Sequence, residues 1–258
     1  MYASNFFETK ICGLPRGTSV SAPAALYLAL YLTNPNDDNS GQEVTYTGYA
    51  RQAISFTAPA ASGSGMMIQN TAAINFPEAS SAVGNVQYVG VLDALTGGNL
   101  WLYAPLSAPL PIVAGTTPII RANAARWTLT GAVSTYYKTA ILNLLRGQTV
   151  SGFTGYLALF DGDPQSTGNE LGGEDYARVS IAFDAPESIT SGATQVKNSA
   201  EVLTPIAGEN WGTLRYTALM DASENGNVFL SRQLESPYNM TAGSAAGYHR
   251  GDLKFNVN

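Results

Sequence analysis

Leu26, Leu28, Leu30 and Leu32 alternate with Tyr27, Ala29 and Tyr31, so one face of this stretch is leucine and the other mostly tyrosine. A period of two is that of a β-strand buried on one side and covered by something less apolar on the other. The pattern returns at Leu157 and Leu159 against Tyr156, Ala158 and Phe160. Further strands are expected at 52–58 and 178–183, 72–76, 86–92 and 214–220, 100–103 and 228–230, and 126–129 and 253–257. Turn signals separate them, among them Thr96-Gly97-Gly98-Asn99 and Glu224-Asn225-Gly226-Asn227, the second with an Asn-Gly hairpin pair. A helical period precedes the second set. Tyr137, Ala140, Ile141, Leu144 and Leu145 share one helix face, Ser134 or Thr135 can cap its start, and Gly147 can stop it. The first set opens on a weaker version, with Ser4 as cap, Phe7 and Ile11 on one face, and Pro15 shortening the helix.

The chain therefore says the same thing twice. Tyr27-Leu28-Ala29-Leu30 returns as Tyr156-Leu157-Ala158-Leu159, Tyr49-Ala50-Arg51 as Tyr176-Ala177-Arg178, and Asp93-Ala94 as Asp221-Ala222, each roughly 128 positions later. Solenoid units repeat every ~20–50 residues, so this period marks a duplicated domain. The expected organisation is mainly β: two tandem antiparallel β-sandwich domains, 1–131 and 132–258, each with a short N-terminal helix. The join at Thr130-Gly131-Ala132-Val133 is short enough to hold them in a fixed relation.

Composition narrows the function classes. Charged residues make up 12% of the 258, about half the usual ~25%. With 45% hydrophobic residues, 26 Gly and 14 Tyr, the surface is polar but mostly uncharged, as in large protein–protein contacts. Residues 1–131 carry 5 basic and 6 acidic side chains, and residues 132–258 carry 8 and 13. The low-charge first half is expected to be the more buried in an assembly. The net charge of −6 and the lack of a basic run argue against nucleic acid. No apolar run approaches a membrane span, and no secretory signal pattern opens the chain. Cys12, the single cysteine, aligns with Leu142 and is expected to act as a small buried hydrophobe.

Candidate chemistry is sparse. A Ser-His-Asp arrangement would have to use the single histidine, His249, which the first copy lacks, so a surface side chain is the expectation. Asp161-Gly162-Asp163 could begin a calcium loop, but no twelve-residue pattern follows, and these pairs, like Asp37-Asp38, read as turn formers. Nothing in the spacing of the acidic side chains points to a glycosidase pair, and they read as differing between the copies. Arg51 and Arg178 read as structural arginines beside Tyr49 and Tyr176, stacked on an aromatic and bonded to nearby carbonyls. No catalytic residue, cofactor site or metal site is expected.

Arg146-Gly147, Tyr156-Leu157-Ala158-Leu159-Phe160, the loop Asp161-Gly162-Asp163-Pro164 and Asp175-Tyr176-Ala177-Arg178 form an ordered series. So do Asn70-Thr71-Ala72, Phe76-Pro77, Val91-Leu92-Asp93-Ala94, Gly97-Gly98-Asn99-Leu100 and Val113-Ala114-Gly115-Thr116. In this order they resemble a family of phage tail fibre proteins, a small β-domain of about this repeat length, here present twice. The resemblance implies a non-enzymatic virion structural protein, made in the host cytoplasm, with tail placement (fibre, baseplate or collar) ranked first. A capsid decoration protein and a carbohydrate-binding receptor module are the alternatives. The implied partners are other virion proteins, the chain itself as a homo-oligomer such as a trimer, and a host surface glycan.

Overall fold

A computed structural model describes residues 2–189 and 192–257; the outermost residues of the two expected halves, 1 and 258, lie outside these. The first half runs β1 (Tyr2–Ala3), α1 (Asn5–Gly13), β2 (Tyr27–Tyr31), β3 (Gln52–Ala53), β4 (Ala60–Ser62), β5 (Gly65–Gln69), β6 (Ile74–Asn75), β7 (Gly84–Leu92), β8 (Leu100–Ile112), β9 (Ile119–Ile120) and β10 (Arg126–Leu129). The second half repeats it with α2 (Thr135–Leu144), β11 (Gly155–Phe160), β12 (Val179–Ile181), β13 (Glu187–Ser188), β14 (Thr194–Lys197), β15 (Val202–Leu203), β16 (Gly212–Met220), β17 (Val228–Met240), β18 (Gly247–Tyr248) and β19 (Lys254–Val257). All strand pairs are antiparallel, and each half stacks a larger sheet (β1-β8-β7-β2-β3; β12-β11-β16-β17) on a smaller one (β10-β5-β4; β13-β14-β19).

The period-two reading of Leu26–Leu32 holds, with one addition. Leu28 and Leu30 face the core, but Ala29 and Tyr31 on the opposite face are buried too. The loop after β2 folds back over that face, and the Tyr31 hydroxyl donates to Asn39 Oδ1 at 2.6 Å. Both hairpins β7–β8 and β16–β17 extend well beyond the expected strands, through Pro105, Pro109 and Pro111 in β8 and Pro237 in β17. Proline cannot donate to a ladder and is confined to edges; beyond its pairing with β1, β8 is an edge, and so is β17. The hairpins β4–β5 and β13–β14 were not expected, since Ala60–Gln69 and Glu187–Lys197 mix Gly, Ser, Met and Thr without a clean alternation.

The helices hold the expected caps. Ser4 Oγ accepts from the Phe7 N–H at 3.3 Å and Ser134 Oγ from the Tyr137 N–H at 3.2 Å. Each helix is wedged between its own hairpin and the small sheet of the other half. Phe7 packs its ring on Trp101 and Trp127, while the far side of α1 lies on β14 and β19. Tyr137 packs on Phe229, and α2 lies on β5. That is why the burial runs past one helix face to Cys12, Lys138 and Leu142.

The exchange is reciprocal in its polar contacts as well. Arg16 Nε donates to Phe183 O and Arg146 Nε to Phe56 O, both at 3.3 Å. At the centre, Val20 N–H donates to Val150 O at 2.8 Å and Val150 N–H donates back to Val20 O at 3.0 Å. Gly152 lets the strands approach there, since a Cβ at that position would lie 2.3 Å from Gly17 C. Ile11, Ile68, Ile141, Val196, Phe229 and Phe255 accordingly belong to a single core that crosses from one half to the other. A nine- or ten-residue helix is marginal alone. Full burial of an aliphatic or aromatic side chain stabilises by roughly 1.5–3 kcal/mol, so the partner half supplies much of what keeps each helix folded.

One position breaks the symmetry of the exchange. Glu8 on α1 corresponds to Lys138 on α2. Glu8 is fully buried, its Oε2 accepts from the Thr194 N–H at 2.9 Å, and its Oε1 has no partner among the described residues. Burial, and to a smaller degree the nearby Asp37, push its carboxyl up from 4.5 to about 7, while the bonds from Thr194 act the other way. Lys138 Nζ reaches Ser64 O at 3.5 Å, and burial lowers its ammonium below the ordinary value. Burial, with Glu8 adding to it, also pushes the Cys12 thiol up to about 12, so Cys12 serves as a packed apolar group.

Because the folded Glu8 carboxyl binds its proton more tightly than the unfolded one, its contribution is fully present below pH 4.5 and is lost as pH rises through about 7. Glu8→Gln should therefore melt above the parent at pH 8, by a stability difference on the order of 2 kcal/mol. At pH 4.5 the gap should nearly close. An equal gap at both pH values, read by calorimetry, contradicts a buried ionisable Glu8.

Candidate functional site

The side chains that carry charge and hydrogen-bonding capacity converge in the same place in both halves, on the loop that covers the outer face of the large sheet. Arg178 Nε and Nη2 donate to Glu170 Oε1 and Oε2 at 2.8 and 2.6 Å. Its Nη1 donates to Ala222 O and Asn225 O at 2.7 and 2.6 Å, in the turn that joins β16 to β17. Arg51 repeats this with Glu43 at 2.9 and 2.8 Å and with Ala94 O and Gly97 O at 2.8 and 2.7 Å. Tyr49 and Tyr176 complete each clamp, accepting from the Leu30 and Leu159 N–H groups and donating to Glu43 and Glu170. Burial first, then the neighbouring carboxylates, push both phenols above their ordinary range.

The carbonyl contacts expected of Arg51 and Arg178 are present, and each arginine also makes a bidentate ion pair with a glutamate. The reading of the acidic side chains as different between the copies is corrected here, because Glu43 and Glu170 occupy equivalent positions. A signal for it was in the sequence: both glutamates stand six residues before the tyrosine and eight before the arginine.

Two further polar devices are duplicated. Asn70 and Asn198 are fully buried; each donates through Nδ2 to two carbonyls (Ala72 and Arg121; Ala200 and His249) and accepts from a later N–H (Ala125; Leu253). Asp93 and Asp221 each accept from the backbone N–H six residues on, at 2.6 Å. Asp93 also accepts from Trp101 Nε1, whereas Asp221 accepts from the Tyr137 hydroxyl. The donor has moved from hairpin to helix as Trp101 became Phe229 and Phe7 became Tyr137. Burial opposes ionisation of Asp93, but the bonds from Asn99 and Trp101 outweigh it and hold the carboxyl below its ordinary range.

The remaining candidates lie apart from one another. The His249 side chain is 87% exposed, with Nδ1 at 3.3 Å from Glu201 Oε1. Asp161 accepts from Asn169 through both oxygens, and Asp163 accepts from the Gln165 N–H, so both close turns of their own loop. Among the described residues, no three His, Cys, Asp or Glu side chains converge as a metal site. The arginine clamps bind the chain to itself, and large apolar side chains stand among the polar and charged ones that face outward. Tyr2, Leu95, Val113 and Ile119 are exposed in the first half, and Leu203, Ile206 and Tyr238 in the second.

The Arg178 side chain is 7% exposed and that of Glu170 26%, so removing the arginine leaves a partly buried carboxylate and two carbonyls unmatched. Arg178→Ala should cost about 3 kcal/mol, and Arg178→Lys should recover only part of it, since an ammonium cannot serve all four acceptors. Amide exchange should quicken in the turn at 221–227 in both variants. A change below about 0.5 kcal/mol for Arg178→Ala would show that the clamp does not hold the loop.

A family model described as podophage GP4 fiber I protein gp80 matches residues 2–128 and again residues 132–256. No curated protein matches the chain. The two matches coincide with the two sets of clamps, pins and caps, and between them they cover nearly all of the sequence. The chain belongs to the podophage fiber I protein family, as two tandem copies of its domain, and is a structural component of a phage virion.

Proposed function

We propose that this chain is a tail-associated component (fibre, baseplate or collar) that assembles through contacts between its β-domains and acts without catalysis. The family match over both copies carries this reading. The geometry supports it, since the buried charges and polar side chains of both halves are spent on holding loops, turns and hairpins in place. Charge is sparse on the first half, and its exposed Tyr2, Leu95, Val113 and Ile119 suit a contact surface between virion subunits. The duplication supports a homo-oligomer such as a trimer: three chains would present six similar domains, which can meet threefold or pseudo-sixfold surroundings.

Immunogold labelling of intact particles with an antibody to this chain, viewed by electron microscopy, tests the placement. Gold at the tail or the head–tail junction is expected. Gold spread over the head contradicts the tail reading and makes this a capsid decoration protein.

A further inference from the structure

We propose that the open side of the second sandwich, between β17 and β19, docks an extended, acidic and aliphatic segment of another virion protein. This rests on the virion role of the chain and is independent of tail placement.

A cavity of about 270 Å³ opens there, floored by Ile11, Ile141, Leu157 and Leu219, with Arg232 and Lys254 at its mouth. A space of this size takes a few aliphatic side chains, somewhat less than a drug-sized ligand. The large sheet of the second half ends at β17, where the linker adds a bridge from Val133 to Leu230 and lines one side of the cavity from Leu129 to Val133. The outward backbone groups of Ser231 and Gln233 therefore pair with no strand among the described residues; beyond Gln233 the pairing with β16 breaks and resumes only at Tyr238.

The first half is less suited to strand addition at the same edge, although a cavity of about 410 Å³ opens there too, beside Ala104 and Arg126. There β1 pairs with β8 through Tyr2–Tyr103 and Ala3–Leu102, and Pro105 follows at once along the edge. Proline on an edge blocks strand addition. Charge differs in the same sense. Ala104 stands where the second half has Arg232, and Arg126, the counterpart of Lys254, donates through Nε to Asn123 O at 2.7 Å. Arg232 and Lys254 make no ion pair among the described residues, although their half carries a net charge of −5.

Each element of the surface selects one property of the occupant. The free ladder of β17 selects an extended backbone, as in β-strand addition. The apolar floor selects aliphatic side chains at alternate positions, and the paired cations select carboxylates beside them. A fatty acid would meet the floor and the cations but leave the ladder unmatched. A second copy paired β17 to β17 would set Arg232 near Arg232, and one offering β8 would bring its prolines to the ladder.

The test places a photo-reactive benzoylphenylalanine at Asn256, an exposed residue at the mouth, in intact particles, and identifies the cross-linked peptide by mass spectrometry. The expected product joins Asn256 to a different virion protein, through a segment alternating aliphatic and acidic residues. Its yield should fall at least tenfold in the Arg232→Glu, Lys254→Glu double variant, whose purified chain should melt as the parent does. The same probe at Thr128, the equivalent position of the first half, should give no such product. The synthetic segment so identified, added to the purified chain, should slow amide exchange at Ser231 and Gln233, whose N–H groups face outward, and not at Arg232, whose N–H faces β16. Absence of a cross-linked virion protein, a cross-link to a second copy, equal yield at Thr128, or indifference to the charge reversal overturns the proposal.

Discussion

Everything in this molecule depends on each half lending its helix to the other. A sheet with one apolar face must bury it against something, and the small sheets β10-β5-β4 and β13-β14-β19 meet that need with α2 and α1 respectively. Neither helix is long enough to persist alone, and each keeps its own aromatic contact, Phe7 on Trp101 and Tyr137 on Phe229. The helix is thus a wedge shared by two sheets. The Val20–Val150 bridge and the two arginine–carbonyl contacts fix the angle at which the halves meet.

Around that shared core the duplicated polar groups do local work. The clamps at Arg51 and Arg178 fasten a covering loop to a hairpin turn, and the asparagines at 70 and 198 fasten the loops that lead into β6 and β15. One pair of differences between the halves stays matched. The exchange of Trp101 and Phe7 for Phe229 and Tyr137 keeps a donor on Asp93 and Asp221. Glu8 and Lys138 differ more sharply, and each is buried against backbone of the opposite half. The contrast makes the Glu8 seam sensitive to pH near neutrality.

The β class, the duplication and the central strands were legible because hydrophobic periods state them directly: Leu28 and Leu30 declare a face, as do Ile141 and Leu144. The exchange was not legible. An apolar stripe such as Tyr137, Ile141 and Leu144 says that a helix is covered, but not by which sheet, and β5 and β14 are too irregular in sequence to announce themselves. The long hairpins were hidden because proline fits a strand only at an edge, and sequence alone does not say that β8 and β17 are edges. Family membership and a virion role were carried by motif order. The clamp was half legible, since Arg51 and Arg178 stood out but Glu43 and Glu170 were lost among turn acids.

For a virion component the interlock supplies a rigid unit with two similar but unequal surfaces, and the two halves differ most where the outside meets them. Separate expression of residues 1–131 and 132–258 tests the interlock most directly. The account predicts that neither half alone is a folded monomer by amide exchange, and that mixing them yields a stable one-to-one complex with the parent's exchange pattern. Two halves that each fold as protected monomers and do not associate would contradict it.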